Sequence, residues 1–286
     1  MSKGYLILAQ NNSKNDYVRM AYVTAMSIKL TQSEVKDVTL VTDVPEAVPH
    51  HYADAFDKIL PIIWYDDALN SEWKIENRWK LYHLTPYQET IILDSDMLFL
   101  SDVSHWWNYL SKNHDIFITD KVRTYRNELV VNDYYRKAFT GNDLPNTYSA
   151  FSYFKKSPDA ELFWKTVEMV VKNWEEFYLK YLKTNRPMHL SIDVAFAIAV
   201  KLLGFEDKVF STLEYPTFTH MKGQIQNWKS PSENWMNLVA IYLNDKCRLK
   251  IGSYQQEGIF HYTEKEFLND NLFYKYQNMF DEIKNG

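Results

Sequence analysis

The chain has 286 residues, 46% hydrophobic and 24% charged, a balance that suits a globular protein with a sizeable core and argues against disorder. Its net charge of −5, without any dense basic run, excludes a nucleic-acid-binding role. The single cysteine, Cys247, rules out an internal disulfide and a cysteine-built zinc site, and no stretch of 18 apolar residues exists to cross a membrane.

The first hundred residues alternate strand and helix. Residues 5–9 form a short apolar run that ends in polar Gln10, Asn11 and Asn12, so the N-terminus reads as a first strand and loop, not as a signal peptide. Residues 16–30 carry apolar side chains at helical spacing (Val18, Ala21, Tyr22, Ala25, Met26, Ile28). A β-branched strand is predicted at 38–41, a short helix at 51–56 and a third strand at 59–64. A helix at 77–84 stops at Thr85-Pro86, and the fully apolar run 90–93 is a strand leading into Asp94-Ser95-Asp96. Beyond residue 100 the pattern loosens. A short helix holds Trp106 and Trp107, a strand spans 115–119, and residues 121–146 are polar and aromatic with no period, which predicts a mobile or acceptor-side segment. A strand at 148–154, one long helix over 159–182, a helix at 192–203 opened by Ser191 and a late strand at 258–261 follow. Alternating strands and helices predict an α/β fold, a mixed and mostly parallel sheet flanked by helices. With no linker and no repeat, residues 1–286 are read as one domain, its half 1–100 for the nucleotide and 101–286 for sugar and acceptor.

Two carboxylates one residue apart, just past an apolar strand, can converge on one hard divalent cation. Mg²⁺ and Mn²⁺ take such oxygen ligands and share diphosphate oxygens. Ligands in parallel sheets bind beyond the carboxyl ends of the strands, where Asp94 and Asp96 sit. The 9 tryptophans, 21 tyrosines and 16 phenylalanines include many rings with a polar edge, the kind that stacks on sugars, although Trp73, Trp79, Trp106, Trp107 and Trp174 are predicted to pack in the core or against helices.

Four segments resemble, in order, the GT-A-fold glycosyltransferases of the glycogenin-like and bacterial galactosyltransferase family (glycosyltransferase family 8). They are LILAQNNSKNDYVRMAYVTAMSIK, RWKLYHLTPYQETIILDSDMLFL, YSAFSYFKKS and SIDVAFAIAV. The resemblance spans about residues 5–262, and its specific part is the Asp-x-Asp segment. It implies a hexosyltransferase that moves a sugar, with retention, from a UDP-sugar to a hydroxyl on a glycan, lipid or protein acceptor. By the same resemblance Asp94 and Asp96 bind Mn²⁺ (or Mg²⁺), and Asp94 with Ser95 lies near the donor. Ala9, Asn11 and Tyr17 hold uracil and ribose, Arg78 contacts sugar or phosphate, Ser149 and Ala150 line the sugar pocket, and Asp193 binds the transferred sugar. A histidine completes the metal site in the family. His261 follows an apolar strand, with Lys265 four residues on to neutralise phosphate. His220 is the alternative; it opens His-Met-Lys-Gly before Trp228, but Gln226 stands where a phosphate lysine is expected. Departures at Tyr148 (Asn in the family), Ala150 (Gly) and Val194 (Gln) alter the sugar pocket, so the resemblance does not fix the donor sugar.

Two other readings remain. A nucleotidyltransferase of similar architecture would carry a glycine-rich loop after its first strand, whereas Gln10-Asn11-Asn12-Ser13 contains none. A non-catalytic sugar-nucleotide-binding protein would be a decayed enzyme, and the carboxylates Asp94, Asp96 and Asp193 argue against decay. The lone cysteine and absent membrane span predict a soluble, cytoplasmic protein, with the aromatic tail 273–284 able to touch a surface.

Overall fold

A computed structural model describes residues 2–130, 136–244 and 246–285. The strands are β1 (Lys3–Leu8), β2 (Val38–Thr42), β3 (Lys58–Pro61), β4 (Glu89–Leu93), β5 (Met97–Phe99), β6 (Ile116–Thr119) and β7 (Tyr148–Lys155), then β8 (Thr219–His220), β9 (Ile241–Leu243), β10 (Leu249–Ile251), β11 (Tyr254–Gln255) and β12 (Ile259–His261). The helices are α1 (Tyr17–Thr31), α2 (Leu81–Leu84), α3 (His105–Asn113), α4 (Lys137–Thr140), α5 (Pro158–Lys172), α6 (Trp174–Tyr181), α7 (Ile192–Leu203), α8 (Glu206–Val209) and α9 (Asp270–Asn285).

The main sheet runs β3-β2-β1-β4-β7-β6. Its first four strands are parallel, and β7 is antiparallel to both β4 and β6, which makes the mixed, mostly parallel sheet predicted from the alternation. Side chains alternate across it. Tyr5, Ile7, Ile91 and Leu93 face a core shared with α1, α3 and α9. Leu6 and Ile92 face a second core built with α5 and α7. Both faces are covered, which explains why these strands read as continuous apolar runs. The chain builds outward from β1 to β3, then returns to place β4 on the other side of β1. The crevice past the carboxyl ends of β1 and β4 is therefore the switch point of the sheet, the place where open α/β sheets bind ligands.

Several local expectations change. The long helix at 159–182 is two helices, because Asn173 leaves helical geometry (φ −127°, ψ 33°) while its side-chain amide donates to Met169 O at 2.9 Å. The helix at 77–84 begins as a 3₁₀ turn, Arg78–Lys80. The third strand ends at Pro61, and Trp64 has φ 63°, a left-handed value no strand accepts. Within 121–146, Arg123 bridges to Leu129 and Thr219, and α4 forms; residues 131–135 of that segment lie outside the described residues. In the tail, Leu272, Phe273, Tyr276 and Phe280 of α9 are buried, and α9 packs on α1.

Candidate active site

The crevice opens into a cavity of about 490 Å³. Asp94, Ser95 and Asp96 enter its wall where β4 ends and β5 begins. Helix α1 fastens this turn from behind. The Thr24 hydroxyl lies 2.8 Å from Ser95 O and 2.7 Å from Met97 O, and Ser27 Oγ accepts from Phe99 N at 3.0 Å. Asp94 N donates to Ala150 O at 2.9 Å, which ties the turn to β7 as well.

A small sheet brings in the histidines. Strand β12 lies between β5 and β8, pairing His261 with Met97 on one side and with His220 on the other. His261 Nε2 thereby comes to 3.1 Å from Asp96 Oδ2. One ligand atom each from Asp94, Asp96 and His261 lies within 4.8 Å of the other two, and this is the group among the described residues able to share one ion. Two carboxylates and one imidazole fit a hard divalent cation such as Mn²⁺ or Mg²⁺. His220 stands outside that group. Its ring lies 4.9 Å from that of His261 and meets Tyr148 edge-on at 5.8 Å. Burial first, then the charges of His261, Lys222 and Arg136, push its pKa well below the usual histidine value, so it stays neutral at physiological pH.

Each carboxylate of the cavity has a cationic neighbour. Arg78 donates through Nη1 to Asp94 and through Nη2 to Ser149 O, and its Nε is buried without a partner among the described residues. Lys265 Nζ lies 2.6 Å from Asp96 Oδ2. Burial alone would raise the pKa of Asp96, but His261 and Lys265 outweigh it and hold the group well below the usual carboxylate range. For Lys265 the balance is the mirror image. Burial works against its charge, Asp96 outweighs burial, and the pKa rises. Asp193 sits in the first turn of α7, capped by Ser191. Its Oδ1 accepts from Ser149 N at 2.8 Å and Ser149 Oγ at 2.6 Å, and its Oδ2 accepts from Arg136 Nη1 at 2.8 Å. Burial opposes the charge of Asp193, and Arg136 with Ser149 overcomes this, so its pKa is lowered.

No protein-family model and no curated protein matches the chain. Solved structures do. The chain superposes on mouse xyloside xylosyltransferase 1 in its apo form with TM-score 0.51 and 13% identity, over 91% of this chain and 97% of that one. On the glycosyltransferase GlyE of Streptococcus pneumoniae the TM-score is 0.53 at 11% identity, over 99% of this chain and 63% of that one. On the galactosyltransferase LgtC, in complex with donor and acceptor sugar analogs, it is 0.55 at 11% identity, over 98% and 95%. This is the GT-A fold.

On that GT-A frame, Arg78, Asp94, Ser95, Asp96, Ser149 and Ala150 line the one cavity with Tyr17, Asp193, His220, His261 and Lys265. Ala9 is buried in the core, and Asn11 turns its Oδ1 to Val18 N at 3.0 Å beside a neighbouring depression. The residue in that loop which lines the cavity is Gln10, bonded to Asn77 and Asp66. Gln226, in the place expected for a lysine, staples the loop of His220 by donating to His220 O at 2.6 Å. Trp79, Trp106 and Trp107 are buried as predicted, whereas Trp73 is 57% exposed at the cavity wall. Arg136 was not foreseen. It lies in the segment without period, and only the fold packs it between the rings of Phe139 and Tyr148, at 3.9 and 4.2 Å, and against Asp193.

Proposed function

We propose that the protein is a metal-dependent glycosyltransferase that takes a sugar from a nucleoside-diphosphate donor, a UDP-sugar first among those to test, and passes it to a hydroxyl of a glycan, lipid or protein acceptor. The observation that carries this reading is the convergence of Asp94, Asp96 and His261 at the switch point of a GT-A sheet, within one cavity that also holds Arg78 and Lys265. In this reading Asp94, Asp96 and His261 hold Mn²⁺ or Mg²⁺. Such an ion, when bound, offsets the charge that builds on the departing diphosphate. Arg78 and Lys265 flank the carboxylates and take diphosphate oxygens. Ser149, Ala150 and Asp193 border the sugar, while Gln10, Asn11 and Tyr17 lie on the side of the base and ribose. The bond between the anomeric carbon and the diphosphate oxygen breaks, its electron pair leaves with the diphosphate, and the acceptor oxygen forms the new bond. The acceptor proton passes to the released diphosphate. Retention follows the family resemblance, and the half 101–286 supplies the acceptor side.

Incubation with a panel of UDP- and GDP-sugars and Mn²⁺, reading released nucleotide, tests the proposal. Turnover should require the ion and vanish in Asp94→Ala/Asp96→Ala. Metal-dependent release unchanged in that double variant would sink the reading. A melting temperature raised by UDP with Mn²⁺, without turnover of any donor, would favour a binding protein instead.

A further inference from the structure

The cavity carries its own counter-ions. Arg78 is matched to Asp94, Lys265 to Asp96 and Arg136 to Asp193. The last pair is braced on all sides, since Arg136 also donates to Asn146 Oδ1 at 2.8 Å and to Thr147 O, and Asp193 is held by Ser149. The other two pairs have freedom to part. The Lys265 side chain is 25% exposed against 6% for Asp96, so the ammonium is the end that can move. Arg78 would keep its bond to Ser149 O if Nη1 left Asp94, and its Nε, unpartnered among the described residues, has a proton to offer.

The charges set the order of events. Asp94 and Asp96 are balanced by Arg78 and Lys265, so the cluster is formally neutral. A divalent cation placed on the same carboxylates leaves two positive charges in excess, next to an ammonium now without an anion. A sugar diphosphate brought alone finds both cations already committed. Brought together, ion and diphosphate restore neutrality: the carboxylates go to the ion and the two side-chain cations go to phosphate oxygens.

We infer that Arg78 and Lys265 are exchange partners, which hold Asp94 and Asp96 in the empty site and pass to the diphosphate when a divalent cation takes the carboxylates, so that ion and nucleotide bind as one unit. This deepens the reading above and rests on it. Binding is then strongly cooperative, and by linkage each ligand tightens the other by the same factor. A residue that merely supports the site would weaken both ligands when removed. An exchange partner behaves with opposite signs, because its removal frees a carboxylate for the ion while depriving the diphosphate of a cation.

Titration calorimetry on the whole protein decides it, with Mn²⁺ alone, UDP alone and UDP at saturating Mn²⁺, on wild type and Lys265→Met. For wild type, Mn²⁺ should tighten UDP by about tenfold or more. Lys265→Met should bind Mn²⁺ alone several-fold more tightly, bind UDP with Mn²⁺ more weakly, and lose most of the coupling. Weaker or unchanged Mn²⁺ affinity in the variant overturns the exchange, whatever UDP does. Wild type that binds Mn²⁺ but neither UDP nor, titrated the same way, GDP instead overturns the glycosyltransferase reading, and the Mn²⁺ comparison still judges the pair. Lys265→Gln, checked by circular dichroism, replaces Lys265→Met if the methionine variant does not fold, and the same signs are expected.

Discussion

Among the described residues, Arg136 binds Asn146, the Thr147 carbonyl and Asp193 at once. Arg136→Ala would leave Asp193 charged without its counter-ion. Removal of one partner from a fully buried pair costs about 3–5 kcal/mol. The Asp193 side chain keeps 25% exposure, so a loss of about 2 kcal/mol is expected, read from denaturant unfolding. Arg136→Lys should recover only part of it, because an ammonium cannot reproduce the planar fork. A second expectation concerns acid. Asp193 has a folded pKa below its unfolded value, so its contribution is present above about pH 4 and drains away as pH falls through the lowered value. Asp193→Asn should therefore flatten the acid limb of a melting-temperature profile and leave its shape near neutrality unchanged. A steepened acid limb would contradict the assignment.

Among the elements, α1 does more than cover the sheet. Its Thr24 and Ser27 reach the turn between β4 and β5, Thr24 meeting the carbonyls of Ser95 and Met97 and Ser27 the Phe99 amide. Thr24→Val keeps the shape and removes the hydroxyl. The one hydroxyl proton that Thr24 offers to the Ser95 and Met97 carbonyls would be lost, at about 1–3 kcal/mol in stability. Because the turn carries Asp94 and Asp96, Mn²⁺ affinity should fall as well, although Thr24 touches no ion. Equal Mn²⁺ affinity in Thr24→Val and wild type, measured by calorimetry, would show that the turn holds its geometry unaided. Helix α9 offers a cruder test. It buries Leu272, Phe273, Tyr276 and Phe280. At about 1.5–3 kcal/mol per large apolar side chain, deletion of residues 270–286 removes an amount comparable with the whole stability of a typical domain, about 5–15 kcal/mol. The shortened chain should fail to melt cooperatively in calorimetry.

Across the whole molecule, what could be read from the sequence was whatever a short stretch decides by itself. The strands at β1 and β4 are apolar runs because both faces of the sheet are covered, and Asp94-Ser95-Asp96 follows from the strand before it. Lys265 was legible through its distance from His261. His261 was put ahead of His220 on its apolar strand and on Lys265 nearby; what separates the two in space is which strand sits in the middle of the small sheet, a pairing between distant segments. Arg136 was invisible for the same reason, lying in a stretch without period and meeting an aspartate 57 positions away in the chain. Trp73 misled because composition cannot tell a core ring from one on a cavity wall. The break at Asn173 was missed because a local side-chain bond outweighed a continuous apolar pattern.

The small sheet β5-β12-β8 has a kinetic consequence. Asp96 and Lys265, in contact across it, are 169 positions apart in the chain. Closing a loop of that length costs about 4–5 kcal/mol in chain entropy, and contacts of such separation form slowly. During synthesis, Asp94 and Asp96 emerge with the first half, hydrated and with their lysine and histidine still to come. The proposed ion site is therefore among the last structures to be completed, because it needs His261 and Lys265 from late in the chain. Mn²⁺ added during refolding should be taken up with the slowest phase, and once held it should retard unfolding, since releasing it means first opening the contact that took longest to form.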